Sequence, residues 1–304
     1  MLYSLMFKNA IKKITLSLCL TPFLLMSALS YGESPYSWQA FNIPPWGSNN
    51  KSGIGFKLIE AYNQAGLEGE VIVTNAARWQ VNMTNPLNRD FCACGSWKLP
   101  NTEHRGYANS ISNTVDYGVA VRPELYEKLS KGGQRRIVDM LEVINSTKED
   151  GRLLIMKARP VFGEMGKVIL SNDAKEDINI GYMTASEGPI SMLTMASIKN
   201  RQVGSVLIFP EEFTNFTRTH PQYSLNYLML SEGSNFAPIR ASCPNTEEGR
   251  KIISKINQLL DDGLRDRAFQ WFLDELPNIP EIRKQARINQ ECIKDSSCKD
   301  PLTP

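Results

Sequence analysis

Between residues 37 and 97 the chain alternates between two hydrophobic periods, and this alternation limits what it can fold into. Ser37 to Ile43 places large apolar residues at every second position, the pattern of a strand. Pro44-Pro45 ends it, and Trp46 to Gly53 is rich in turn formers. Gly55 to Gln64 carries Phe56, Ile59, Ala61 and Tyr62 at helical spacing, and Gly66 closes that helix. Glu70 to Thr74 is a β-branched strand. Ala76 to Met83 reads as a second short helix and Asp90 to Trp97 as a strand. The order β-α-β-α-β points to an α/β domain around a mostly parallel sheet.

The middle of the chain repeats this texture. Strands are expected at Val115 to Val121, Arg152 to Met156 and Val203 to Phe209, with a less clear one near Ile178 to Tyr182. Helices are expected over Glu124 to Ile144 (broken at Gly132-Gly133), Phe162 to Leu170 and Gly188 to Ile198. Asn226 to Leu230 and Phe236 to Ser242 are strands. Glu247 to Leu260 then carries Ile252, Ile253, Ile256, Leu259 and Leu260 as one apolar stripe. Arg265 to Leu273 is a further helix, which Pro277 and Pro280 stop, and residues 284–304 read as a polar C-terminal tail.

The N-terminus differs from all of this. Lys8, Lys12 and Lys13 precede an apolar run from Ile14 to Met26, then small residues at Ala28 and Ser30. That is the layout of a cleaved Sec signal peptide over residues 1–30, and the run is shorter than the roughly 20 residues a spanning helix needs. Cys19 follows Leu18, which is not the small residue a lipid-attachment site requires, so it belongs to the discarded peptide. The expected location is the periplasm, with no membrane insertion after cleavage. About 270 residues remain, enough for one large or two ordinary domains. A net charge of +2 with scattered basic residues gives no footprint for nucleic acid.

Five cysteines lie beyond the signal segment. Cys92 and Cys94 point to one face of a strand, and one of them is a candidate partner for Cys243. Cys292 and Cys298 flank a short loop they could close. An odd count leaves one thiol over. Zinc is the weaker alternative, because C-x-C is accompanied by only two histidines, His104 and His220.

Signatures of catalysis are missing. G-x-S-x-G, both nucleotide-binding glycine motifs and H-E-x-x-H do not occur. Glu164 and the pair Glu211-Glu212 are possible acids, of interest only if a cleft gathers them. No catalytic residue, metal or cofactor is expected.

Several short strings, in order, resemble the extracellular solute-binding proteins of family 3. Asn42-Ile43-Pro44-Pro45-Trp46 followed by a glycine and a helix resembles the family's opening segment. Asp90-Phe91-Cys92-Ala93-Cys94-Gly95 resembles its "Asp-apolar-small-apolar-small-Gly" strand, in a branch where a Cys is usual. Lys98-Leu99-Pro100 through Arg105 resembles its "Thr-Pro-Glu-Arg" turn, although the spacing from Gly95 is longer. Asn109 to Ser112 and Asp116 to Arg122 resemble its hinge strand. Ala241 to Thr246, then Asp262-Gly263 and Phe269-Gln270-Trp271-Phe272, resemble its closing segments.

The resemblance implies a two-lobed fold of the type II periplasmic binding proteins. Each lobe is a mostly parallel sheet flanked by helices, and two hinge crossovers join them. Mapped here, lobe 1 spans 36–118 and 236–283, and lobe 2 spans 119–235. It implies a monomer that holds a small polar solute, amino-acid-like or a carboxylate, for an ABC permease or a membrane sensor. Arg105 is then the candidate for the ligand carboxylate, through a two-pronged guanidinium contact, against the plain reading of an exposed loop arginine. Trp46 and Trp97 are candidate cleft walls, Arg78 and Arg159 further candidate cations, and Glu211 the acid for a ligand amine. The competing functions are a dehydratase-like enzyme on the same scaffold and a ligand-independent partner of a sensor.

Overall fold

The computed structural model describes residues 36–99, 101–147, 151–156, 161, 163–173, 180–183, 203–233 and 237–295. Residues 1–30, expected to be a signal peptide, with Cys19, and Arg159, the helix expected over 188–198 and Cys298 lie outside the described residues.

Two six-stranded sheets organise the described chain. The first contains β1 (Ser37–Phe41), β2 (Glu70–Thr74), β3 (Phe91–Ser96), β4 (Arg105–Tyr107), β5 (Ser112–Thr114) and β12 (Ala237–Pro244). Its order is β2-β1-β3-β12-β4, with β5 also on β12. β1 lies parallel to β2 and β3, Ser37 opposing both Glu70 and Phe91. The second contains β6 (Gly118–Val121), β7 (Ile137–Val138), β8 (Arg152–Met156), β9 (Ile180–Met183), β10 (Val203–Ile208) and β11 (Asn226–Leu230), ordered β7-β11-β6-β10-β8-β9.

Both sheets are mostly parallel, each with one strand, β12 or β6, running against the rest. β12 runs antiparallel to β3, β4 and β5, and β6 antiparallel to β10 and β11. These are the strands where the chain passes between the sheets, at 115–117 and again after β11. A strand that returns from the other sheet does not need the helical crossover that keeps neighbours parallel.

Helices α1 (Ile54–Gln64) and α2 (Ala76–Thr84) flank the first sheet. α3 (Pro123–Ser130), α4 (Met140–Thr147), α5 (Gly163–Asp173) and α6 (Pro210–Thr219) follow within the second segment. α7 (Glu247–Leu259), a π-turn at Leu260–Leu264, α8 (Arg265–Glu275) and α9 (Pro280–Asp295) complete the chain. The single broken helix expected over 124–144 is two helices with the short β7 between them, because Lys131, Gly132 and Gly133 all take positive φ. The polar stretch from residue 284, read as a tail, is helical to Asp295. Pro280 starts this helix instead of only stopping the previous one. Ile282, Ala286, Asn289 and Gln290 make its buried stripe, which is too polar to stand out by hydropathy.

A disulfide joins Cys92 on β3 to Cys243 on β12, residues 151 apart in sequence. Among the described residues Cys94 is the free thiol, 2% exposed, and burial pushes its pKa up to about 12. Cys292 is also disulfide-bonded.

Candidate functional site

The first wall of the site is the turn after β1. Trp46 N–H donates to Ile43 O at 2.8 Å. The opening amides of α1 then hold the turn, Ile54 N–H donating to Pro45 O and Gly55 N–H to Trp46 O. Helix N-termini have such unpaired donors to spend. Gly53 makes this possible: its φ is 115°, and a Cβ there would stand 2.5 Å from Pro45 O. The result is a Trp46 ring that is 7% exposed and stacked on Phe272 of α8, centroids 6.0 Å apart.

The second wall comes from the end of β3. Trp97 lies half-buried beside Phe41 of β1, at 6.3 Å, and stacks on Phe209 at 5.2 Å. Phe209 caps β10 of the second sheet and stacks in turn on Tyr117 at 3.9 Å. Trp79 also packs against Phe41, at 4.6 Å. Five aromatic rings therefore run from the interior of the first sheet, across the gap, to the hinge. The indole nitrogen of Trp97 is buried with no hydrogen-bond partner among the described residues.

The acidic side is the start of α6. Pro210 occupies its first turn, followed by Glu211 and Glu212. Carboxylates are favoured at a helix N-terminus, but they are usually exposed there. Glu211 is 0% and Glu212 7% exposed. The Glu211 Oε1 accepts the Trp46 indole N–H at 3.1 Å, a bond from the second segment to the first. Tyr227 on β11 lies beside them, its hydroxyl 3.4 Å from Ile208 O. Burial first, then the negative charges of Glu211, Asp116 and Glu212, hold that phenol well above its ordinary range. Gly118 leaves room for this ring, because a Cβ there would meet it at 2.5 Å.

Between these walls lies a narrow, partly open crevice with room for about one water molecule. Phe41, Ile43, Trp46, Trp97 and Ile239 line it from the first sheet, with the β3 backbone at Gly95 and Ser96, and Glu212 lines it from the second. Trp46 and Trp97, both expected on sequence grounds, are brought together here. Glu211 sits behind the wall as the anchor of Trp46, and its neighbour Glu212 is the acid that faces in. Phe41, Phe209 and Tyr227 were missed, and Glu212 was expected only as one of a pair of possible acids. The one usable signal was the run Phe209-Pro210-Glu211-Glu212 at a strand end.

The candidate cations lie elsewhere. Arg105 is not an exposed loop arginine, and it does not line this cavity. It opens β4, is 4% exposed, and lies over the Phe91 ring at 4.2 Å. Its Nη2 donates to Phe91 O and Ser242 O, both at 3.1 Å, and its Nε to Ser242 Oγ at 3.3 Å. The guanidinium is used to tie β3, β4 and β12 together, and burial lowers its pKa to about 10. Arg78 is exposed in the first turn of α2, its backbone N–H capped by Asn75 Oδ1 at 2.8 Å. Among the described residues no His/Cys/Asp/Glu group is placed to hold a metal, and no helix is long and apolar enough to cross a membrane.

No protein-family model matches the chain, and no curated protein matches it in sequence. Solved structures do. The solute receptor for L-cysteine of Neisseria gonorrhoeae superposes with a TM-score of 0.56 at 14% identity, over 82% of this chain and 95% of that one. The GluR0 ligand-binding core in complex with L-glutamate gives 0.55 at 12% identity, over 78% and 97%. An ancestral arginine-binding protein bound to arginine gives 0.55 at 12% identity, over 79% and 98%. At such identity the likeness speaks for architecture, and with the two sheets and their double crossover it establishes the fold as the two-lobed α/β fold of the type II periplasmic binding proteins.

Proposed function

We propose that the chain is an exported solute-binding protein. It captures a small molecule between lobe 1 (36–118 and 236–283) and lobe 2 (119–235) and presents the closed form to an ABC permease or a membrane sensor. The observation that carries this reading is the cavity itself, lined by Trp46 and Trp97 of one lobe and Glu212 of the other. A cleft between two lobes, mostly apolar with few polar groups, is a favoured ligand site, and closure around the ligand is the associated motion. The similar structures named above bind amino acids, which supports the same role. The Cys92–Cys243 disulfide suits the oxidising periplasm that the N-terminal segment points to.

The test is a thermal-shift screen of the mature protein against amino acids, polyamines and small carboxylates. A ligand that binds the folded state alone raises Tm by mass action, by about 2.7 kcal/mol of stability at a hundredfold excess over Kd. Silence across the panel overturns the reading.

One observation favours a second reading, an enzyme on the same scaffold. A further similar structure is described as an ancestral amino acid-binding protein, a precursor of cyclohexadienyl dehydratase, with a TM-score of 0.52 at 9% identity, over 78% of this chain and 95% of that one. Glu212, which faces the cavity, would be the acid–base candidate. Turnover of a cyclohexadienyl acid, lost in Glu212→Gln, would establish it.

A further inference from the structure

The two sheets' segments meet through buried apolar side chains, where a cleft that opens and shuts would be polar and wet. Phe213 and Phe216 on α6, from the second sheet's segment, share one buried cluster with Phe272 and Leu273 of α8, which belongs to the first. α6 and α8 pack directly on each other. Domains within a chain move relative to one another by default, and a large hydrophobic interface removes that freedom. Parting the lobes here would return phenylalanine rings to water, at a cost proportional to the apolar area exposed.

Three defined contacts cross the gap beside this interface. The Trp46 indole N–H donates to Glu211 Oε1 at 3.1 Å, and both residues are buried. Trp97 and Phe209 stack with their ring planes 19° apart, and Phe209 continues onto Tyr117 at the hinge with planes 24° apart. At the rim, Arg218 of α6 pairs with Glu275 of α8 at 2.7 Å. Offset-stacked aromatic pairs contribute beyond the area they bury. The crevice these contacts leave has room for about one water molecule, far less than a small solute needs. A solute therefore reaches the faces of Trp46 and Trp97 only when the lobes part.

We propose that the lobes are clamped shut by their own side chains, so that the closed form is the resting form and needs no solute. The apolar α6–α8 interface supplies the adhesion. The Trp46–Glu211 bond and the Trp97–Phe209 stack fix the register of one lobe on the other. Resting on the solute-binding reading, a solute binds the minor, open fraction and competes with the clamp. Its apparent affinity is then the intrinsic affinity reduced by that fraction. A permease gains nothing from a carrier that is closed while empty. A membrane sensor that reads the closed form gains a switch, because solute binding depletes that form.

Small-angle X-ray scattering of the mature protein with no solute tests the resting form directly. The expected profile is that of the closed structure described above. The triple variant Trp46→Phe, Phe209→Leu, Arg218→Ala removes the three defined contacts and keeps apolar side chains at the first two, and should show a larger radius of gyration. Scattering from separated lobes in the unaltered protein, or an unchanged radius in the folded triple variant, overturns the clamp. Should that variant fail to fold by circular dichroism, the unaltered protein decides alone. Phe209 does not line the crevice, so Phe209→Leu separates a clamp from a wall. Isothermal titration with L-cysteine, L-glutamate and L-arginine should show a bound probe gaining about tenfold in affinity in this variant, if about a tenth of the unaltered molecules are open. Equal or weaker affinity overturns the competition. Closed scattering with silence of the whole thermal-shift panel, in the unaltered protein and in Phe209→Leu, removes the solute-binding reading and leaves the clamp. Open scattering with a solute that binds does the reverse.

Discussion

β3 and β12 of the first sheet come from positions 151 residues apart. They are joined by the Cys92–Cys243 disulfide and by Arg105, which reaches carbonyls on both strands. Gln39, Asn82, Ser112, Asn113, Ser242 and Asn289 are all buried around this sheet and its helices. The second sheet takes its six strands from one continuous segment, between β6 and β11. Its interior is an almost wholly aliphatic cluster around Val119, Val121, Leu153, Ile155, Leu207 and Leu228, with no disulfide among the described residues. A sheet assembled across an inserted lobe must close a long loop before any contact rewards it, and a covalent link removes that cost from the unfolded chain. The inserted sheet closes shorter loops, and no disulfide ties it among the described residues.

The comparison can be broken experimentally. Replacing Cys92 and Cys243 together by alanine should lower stability by about 5 kcal/mol on the chain-entropy account of a loop this long. Urea unfolding of the pair with and without reductant measures it, and equal midpoints would remove the disulfide as the main tie. Leu153→Ala, at a 0% exposed site in the second sheet, should cost about 3 kcal/mol whether or not reductant is present. Arg105→Ala should cost about 2–3 kcal/mol, because it leaves the Phe91 and Ser242 carbonyls without their donor. Affinity for the cleft ligand should stay within about twofold of the unaltered protein, about 0.4 kcal/mol. A tenfold loss of affinity in that variant would return Arg105 to the site. Arg218→Ala breaks a 2.7 Å pair with Glu275 that links α6 to α8 at the surface, and should change stability by less than about 1 kcal/mol.

Cys94 sharpens the same contrast by pH. Its folded pKa of about 12 lies above the ordinary thiol value of 9.0, so the folded state holds the proton more tightly. The associated stability is complete below pH 9 and is lost as pH rises toward 12. The difference in unfolding free energy between the unaltered protein and Cys94→Ala should shrink across that window, and a flat difference would contradict it. Alkylation of Cys94 by iodoacetamide at pH 8, read by peptide mass, should be at least about a hundredfold slower in the native than in the denatured protein.

Much of the fold was legible where one face of an element is apolar and the other is not. β8 and β11 occur at the residues expected, and α7 carries the stripe of Ile252, Ile253 and Ile256. Legibility ended where burial is polar. α9 hides Asn289 and Gln290, so its pattern resembles a solvated tail. Arg105 showed the same limit: a guanidinium string matching a ligand-binding turn is, in the fold, a brace between three strands. In the cleft, Trp46 and Trp97 were recognisable as wall residues, but the choice between Glu211 and Glu212 was not. Adjacent helical residues point about 100° apart, so which carboxylate faces the cavity depends on how α6 is rotated against α8 and the Trp46 turn.

The sequence by itself determined the alternation of strands and helices, the pairing of a cysteine near residue 92 with Cys243 as an open possibility, and aromatic residues at two strand ends. Those are set by short-range periodicity and by residue type. The tertiary structure decided that Cys92 and not Cys94 makes the bond, that Phe209 completes the aromatic stack from the other lobe, and that Glu212 carries the charge into the cavity. Each of these depends on the orientation of segments more than a hundred residues apart, which no local pattern encodes.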